Sequence, residues 1–243
     1  MATAKDMTGS GRSAPHTPRM TTPIRVLVEA TPRKVFVSAL DWPGWSRGGK
    51  DEASALEALL AVAPRYAEVV RAAGLALDPE ALEIEVGERC DGDAGTAFGV
   101  PSIVAEADRR PTRPDDAARL AAIVDACWAA FERIAAAAPE SLRKGPRGGG
   151  RDRAKVVEHV NGVDDSYASV IGIRAADRRT VEELRSRVLA ILREPSDGSP
   201  IAGKRWPPRY AARRFAWHAL DHAWEIEDRT DEDRTAEDDT DPA

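Results

Sequence analysis

Trp217-His218-Ala219-Leu220-Asp221-His222-Ala223-Trp224-Glu225 sets two histidines four residues apart. In a helix, with 3.6 residues per turn, both imidazoles leave one side about a turn apart. One helix can then offer two nitrogen ligands to a single metal ion. The surroundings agree with a helix. Pro207 and Pro208 lead into it, and its apolar residues form two stripes. Trp217, Leu220 and Trp224 make one, while Ala211, Phe215 and Ile226 share a side with the histidines. A helix apolar on two sides sits among several partners, so the histidines are expected to face the interior of a bundle.

Three more helical patterns precede this one. Asp115 and Asp116 suit a helix start, and Leu120, Ile123, Val124, Cys127, Trp128, Phe131 and Ile134 follow at steps of three and four up to Pro139. Asp152 opens a second helix whose stripe is Val156, Val160, Val163, Tyr167, Val170 and Ile171, with Gly172 as a stop. His159 lies one turn from both Val156 and Val163 and borders that stripe. Thr180 caps a third helix, with Glu183 in capping-box position. The chain has four histidines, at 16, 159, 218 and 222, and only His16 lies outside these helices. Residues 142 to 151, with Lys144, Gly145 and Arg147, form a basic glycine loop without Walker spacing and read as a plain connector.

The first half has a different period. Ile24–Val28 and Lys34–Leu40 are β-branched, roughly alternating, and read as paired strands. Residues 41 to 49 read as a turn, and Asp51 caps a helix that Pro64 kinks or breaks. Leu82–Val86 reads as a third strand and Ser102–Ala107 as a fourth. Trp42 and Trp45, taken as exposed, mark an interface, such as that of a homodimer, or cover the bundle. The polar, Pro-broken stretch 108–114 is the expected linker. The fold class is therefore α+β: a disordered arm at 1–22, a small α+β module at 23–107, a four-helix bundle at 114–229 and an acidic tail at 230–243.

The net charge of −6 over 243 residues speaks against a general nucleic-acid binder, so no nucleic-acid partner is expected. No apolar run is long enough to cross a bilayer, and the first residues lack the apolar core of a secretory signal. Cys90 and Cys127 form no CxxC pair and no disulfide framework. Cys127 lies on an apolar stripe and reads as a core residue. A cytoplasmic protein is expected. Rich Arg and Ala usage fits a GC-rich bacterial source.

Four helices with one histidine on the second and His-x-x-x-His on the fourth resemble the DinB/YfiT-like superfamily over residues 115–229. His159, in Val-Val-Glu-His159-Val-Asn-Gly-Val, and His218 and His222 match that family's three metal ligands. The resemblance implies a divalent metal, zinc first among candidates. It also implies a low-molecular-weight thiol and a small-molecule substrate, as in thiol S-transfer or maleylpyruvate isomerisation. Three neutral imidazoles leave one tetrahedral position open, the mark of a catalytic rather than a structural site. Such an ion lowers the pKa of a bound water or thiol. Glu158, Asp164, Asp221 and Glu225 are candidates to hold the far nitrogens of the ligands. No catalytic residue is singled out.

Asp41, Pro43, Gly44, Ser46, Gly48, Glu52 and Ala55 resemble the turn and helix start of the HicB-like antitoxin fold, over roughly 35 residues. No DNA-binding element accompanies them. Three functions are therefore expected in competition. They are a metal-dependent thiol transferase or isomerase, a non-catalytic ligand- or protein-binding module of DinB type, and an antitoxin-like interaction protein acting through the N-terminal module.

Overall fold

The computed structural model describes residues 23–144 and 150–230. The arm at 1–22, the centre of the glycine loop at 145–149 and the acidic stretch from 231 lie outside the described residues.

The chain opens with β1 (Ile24–Ala30), β2 (Val35–Ala39) and β3 (Ser46–Gly49). Helices α1 (Glu52–Ala61) and α2 (Ala63–Ala72) lead across to β4 (Ile84–Asp91). The sheet order is β3-β2-β1-β4, with β1 antiparallel to β2, β2 antiparallel to β3, and β4 parallel to β1. A short α3 (Ala94–Phe98) follows, then α4 (Pro114–Ala137), α5 (Arg153–Val170), α6 (Val181–Leu192) and α7 (Pro208–Asp228). The fold is mixed α+β. Asp51 caps α1 through Ser54 N, and Thr180 caps α6 through Glu183 N. Among the helices described, none is long and apolar enough to cross a membrane.

Several expected elements shift. The stretch 41–49 is not all turn: Ser46–Gly49 pairs with β2 as an edge strand. The strand expected at 82–86 begins at Ile84 and runs to Asp91. Ser102–Ala107 is no strand. Buried Glu29 accepts from Ser102 N (2.9 Å), and Asp108 accepts from Ala105 N (2.9 Å). Side chains have taken the donors that a sheet ladder would need. The helix break falls at Val62, so Pro64 sits in the first turn of α2, where its missing N–H costs nothing.

Strand alternation divides the sheet residues. Val26, Val28, Val37 and Ala39 join the main core, while Leu27 and Leu40 meet Ala105 in a small second cluster. The main core is continuous from these strands through Leu59 and Tyr66 to Trp128, Phe131 and Phe215 of the helices. Trp45 belongs to it and is 1% exposed, which corrects its expected surface position. It stacks on Tyr66 (5.3 Å between ring centres) and donates to Leu59 O (2.8 Å). Trp42 is half-buried beneath Arg119, whose guanidinium is 4.3 Å from its ring centre.

Helix α7 is the seam between sheet and helices. Residues 207–220 are buried without interruption. Its Tyr210 donates to Ser102 O (2.7 Å), Arg214 donates to Pro101 O (2.8 Å), and Arg213 pairs with Asp108 (2.5 Å). The expected linker is thus held at Asp108, and again where Thr112 bridges to Ser196. The Pro43–Gly44 turn presses directly on the helices. A Cβ at Gly44 (φ +93°) would stand 3.0 Å from Leu220 Cδ1 and 3.2 Å from both Ala216 Cβ and Cys127 Sγ. Only glycine suits both that backbone and that gap.

Candidate metal centre

The packing of α5 on α7 brings His159 against His218 and His222. Each offers a ring nitrogen, and these lie within 4.8 Å of one another. His159 Nε2 and His218 Nε2 are 3.3 Å apart. An imidazole nitrogen sits about 2.0–2.1 Å from zinc, so two ligands of a tetrahedral ion stand about 3.3–3.4 Å apart. One pair therefore already has ligand spacing. Ring centres are 5.1 Å (159–218), 4.8 Å (159–222) and 4.7 Å (218–222) apart.

Electrostatics favours the unprotonated form of His159 and His218. His218 is 5% exposed, and burial, followed by the neighbouring His222 and His159, pushes its pKa down to about 2. Burial, then His222, also lowers that of His159. Neutral imidazoles are the ligand form, so the donor set fits a borderline-soft divalent cation.

His222 Nδ1 is 2.7 Å from Glu225 Oε2. A carboxylate only accepts, so Nδ1 carries the proton and Nε2 keeps its lone pair for the cluster. That hydrogen bond holds the Glu225 carboxyl below its usual range, against the opposing effect of burial. Arg229 anchors Glu225 from behind, donating to Oε1 (3.0 Å) and to Arg151 O (2.7 Å). Among the described residues, the buried Nδ1 of His218 has no partner.

Of the four acids considered for this supporting role, only Glu225 holds a ligand. Asp221 turns to Arg47 (3.3 Å), Asp164 accepts from Trp128 Nε1 (2.9 Å), and Glu158 is exposed. Burial pushes the Cys127 thiol well up and the Cys90 thiol to about 11, so neither is a thiolate at neutral pH. Sequence reasoning missed Arg229, whose signal is its place four residues after Glu225. It also gave Tyr167 no role at the site. That ring meets His218 edge-on at 5.9 Å, and its hydroxyl oxygen accepts from Arg214 Nη2.

Comparison of this chain with protein-family models, with curated proteins and with solved structures finds no match in any of the three.

Proposed function

We propose that His159, His218 and His222 hold a divalent cation, zinc first among candidates, in a bundle of DinB type. On this reading the protein is a metal-dependent enzyme acting on a small molecule with a low-molecular-weight thiol, as an S-transferase or isomerase. The HicB-like region braces the bundle through the Gly44 turn. One observation carries the reading: three mutually facing imidazoles from two helices, two of them at ligand spacing.

Bound there, the metal would supply acidity to a thiol or water at the fourth position. The chain's own share is to keep His159 and His218 neutral by burial and to orient His222 through Glu225. With both cysteine thiols held protonated, a reacting thiolate would have to come from a separate molecule.

The test is metal content by mass spectrometry on protein purified without chelator or affinity tag. About one zinc per chain is expected, lost in both His159→Ala and His218→Ala while circular dichroism stays unchanged. A folded parent that binds no zinc at neutral pH ends the proposal. Cobalt-substituted protein then separates an enzyme of this type from a bare binding module. Titration with a small thiol should raise a thiolate-to-cobalt charge-transfer band only if the open position accepts it.

A further inference from the structure

A second concave site lies on the side of α7 that meets the sheet. It is a cleft of about 580 Å³, within the usual range for small-molecule sites. Lys34, Phe36, Arg47 and Arg65 line it from the N-terminal half, and Asp221 and Asp228 from α7. None of the three histidines lines it.

The acids at this cleft are each held by an arginine. Asp221 is taken by Arg47 (3.3 Å), and Asp228 by Arg65 (2.8 Å). Arg65 also holds Glu227. That leaves Lys34, which makes no ion pair among the described residues and carries its ammonium 5.7 Å from the Phe36 ring centre. Arg47 is fixed and only partly used. Its guanidinium lies 4.3 Å from the Trp224 ring centre. Only Nη1 donates, to Ser46 O (3.3 Å) and Asp221 Oδ1 (3.3 Å). Its Nε and Nη2 bond nothing among the described residues, so a rigid donor edge remains.

Gly48 of β3 makes the space. A Cβ there would come within 3.0 Å of both Lys34 Cε and Phe36 Cζ, so the missing side chain lets the lysine stem and the ring lie across the strand. Phe36, Ala61 and Val62 add apolar wall.

We propose that this cleft binds a small molecule bearing one anionic group, a carboxylate or a phosphate ester, on a short apolar body. Lys34 and the free edge of Arg47 take the anion. The inference stands apart from the metal reading.

Calorimetric titration of the full chain at low ionic strength, with acetate, hexanoate and inorganic phosphate as probes, tests it. Hexanoate should bind about tenfold or more tighter than acetate, because its extra methylenes meet the apolar wall. Lys34→Gln and Arg47→Gln should each weaken binding about tenfold or more. His218→Ala should leave it unchanged. Phosphate binding without hexanoate binding assigns the phosphate class, and the reverse assigns the carboxylate class. Failure of all three probes to bind at about 50 mM, far beyond the millimolar range expected of a weak site, overturns the proposal. So does an unchanged affinity in Lys34→Gln, a substitution at a partly exposed side chain just before β2.

Discussion

On the sheet side of α7, Arg213 donates to both oxygens of Asp108, at 2.9 and 2.5 Å, and Arg214 is held by Pro101 O and Tyr167. On the α5 side, three imidazoles turn towards one another, and the Glu225 carboxylate is bonded to the outer nitrogen of His222. The first setting is buried, whereas in the histidine cluster only His218 is and His159 and His222 are half-buried. In the first, each buried charge meets an acceptor and the result is a clasp. In the second, three ring nitrogens converge, and two of them stand 3.3 Å apart. One helix thus carries a charge clasp on one side and a cluster of facing imidazoles on the other.

The hardest blow to this contrast would fall on the clasp. Arg213→Ala leaves Asp108 buried and uncompensated and should cost about 3–5 kcal/mol in urea unfolding. A loss below about 1 kcal/mol would mean that the pair is not structural.

Asp164 sharpens the contrast, because it is a buried acid without an ion-pair partner. Its Oδ2 accepts from Trp128, its Oδ1 has no partner among the described residues, and burial pushes its pKa up to about 7. The folded protein binds this proton more tightly than the unfolded chain does. The Asp164 contribution is therefore fully present below about pH 4 and is lost as pH rises through about 7. Relative to the parent, Asp164→Asn should remove that decline and differ by on the order of 2–4 kcal/mol at pH 8. Parallel stability profiles for the two proteins across pH 4–8 would show that Asp164 is not so perturbed.

The mildest expected effect concerns the support of the site. Glu225→Gln keeps the hydrogen bond to His222 and loses the charge. Zinc affinity should drop about 10- to 100-fold, read by competition with a chromophoric chelator. An unchanged affinity would make the Glu225 contact incidental.

The long helices were legible because α4 and α6 repeat apolar residues at steps of three and four, α4 carrying Asp115 and Asp116 in its first turn and α6 capped by Thr180. Helical spacing also sets His218 beside His222, whereas His159 was joined to them through the DinB resemblance. What escaped depended on distant partners. Gly48 and Gly49 hide a strand, because pairing with Phe36 and Val35 rather than side-chain character makes one. Ser102–Ala107 looks like a strand, but Glu29, more than seventy residues back, claims its backbone. Glu225 could not be chosen over Asp221 without knowing that Arg47, 174 positions away, holds the latter.

The burial of α7 between sheet and helices has a consequence for biosynthesis. This helix follows every other described element, yet it fills both the sheet side and the helical side of the core. A chain emerging from the ribosome in sequence order can finish neither side until residue 226 is free. Nascent chains stalled before residue 208 should therefore stay open to protease along their whole length, and protection should come in one step once α7 emerges.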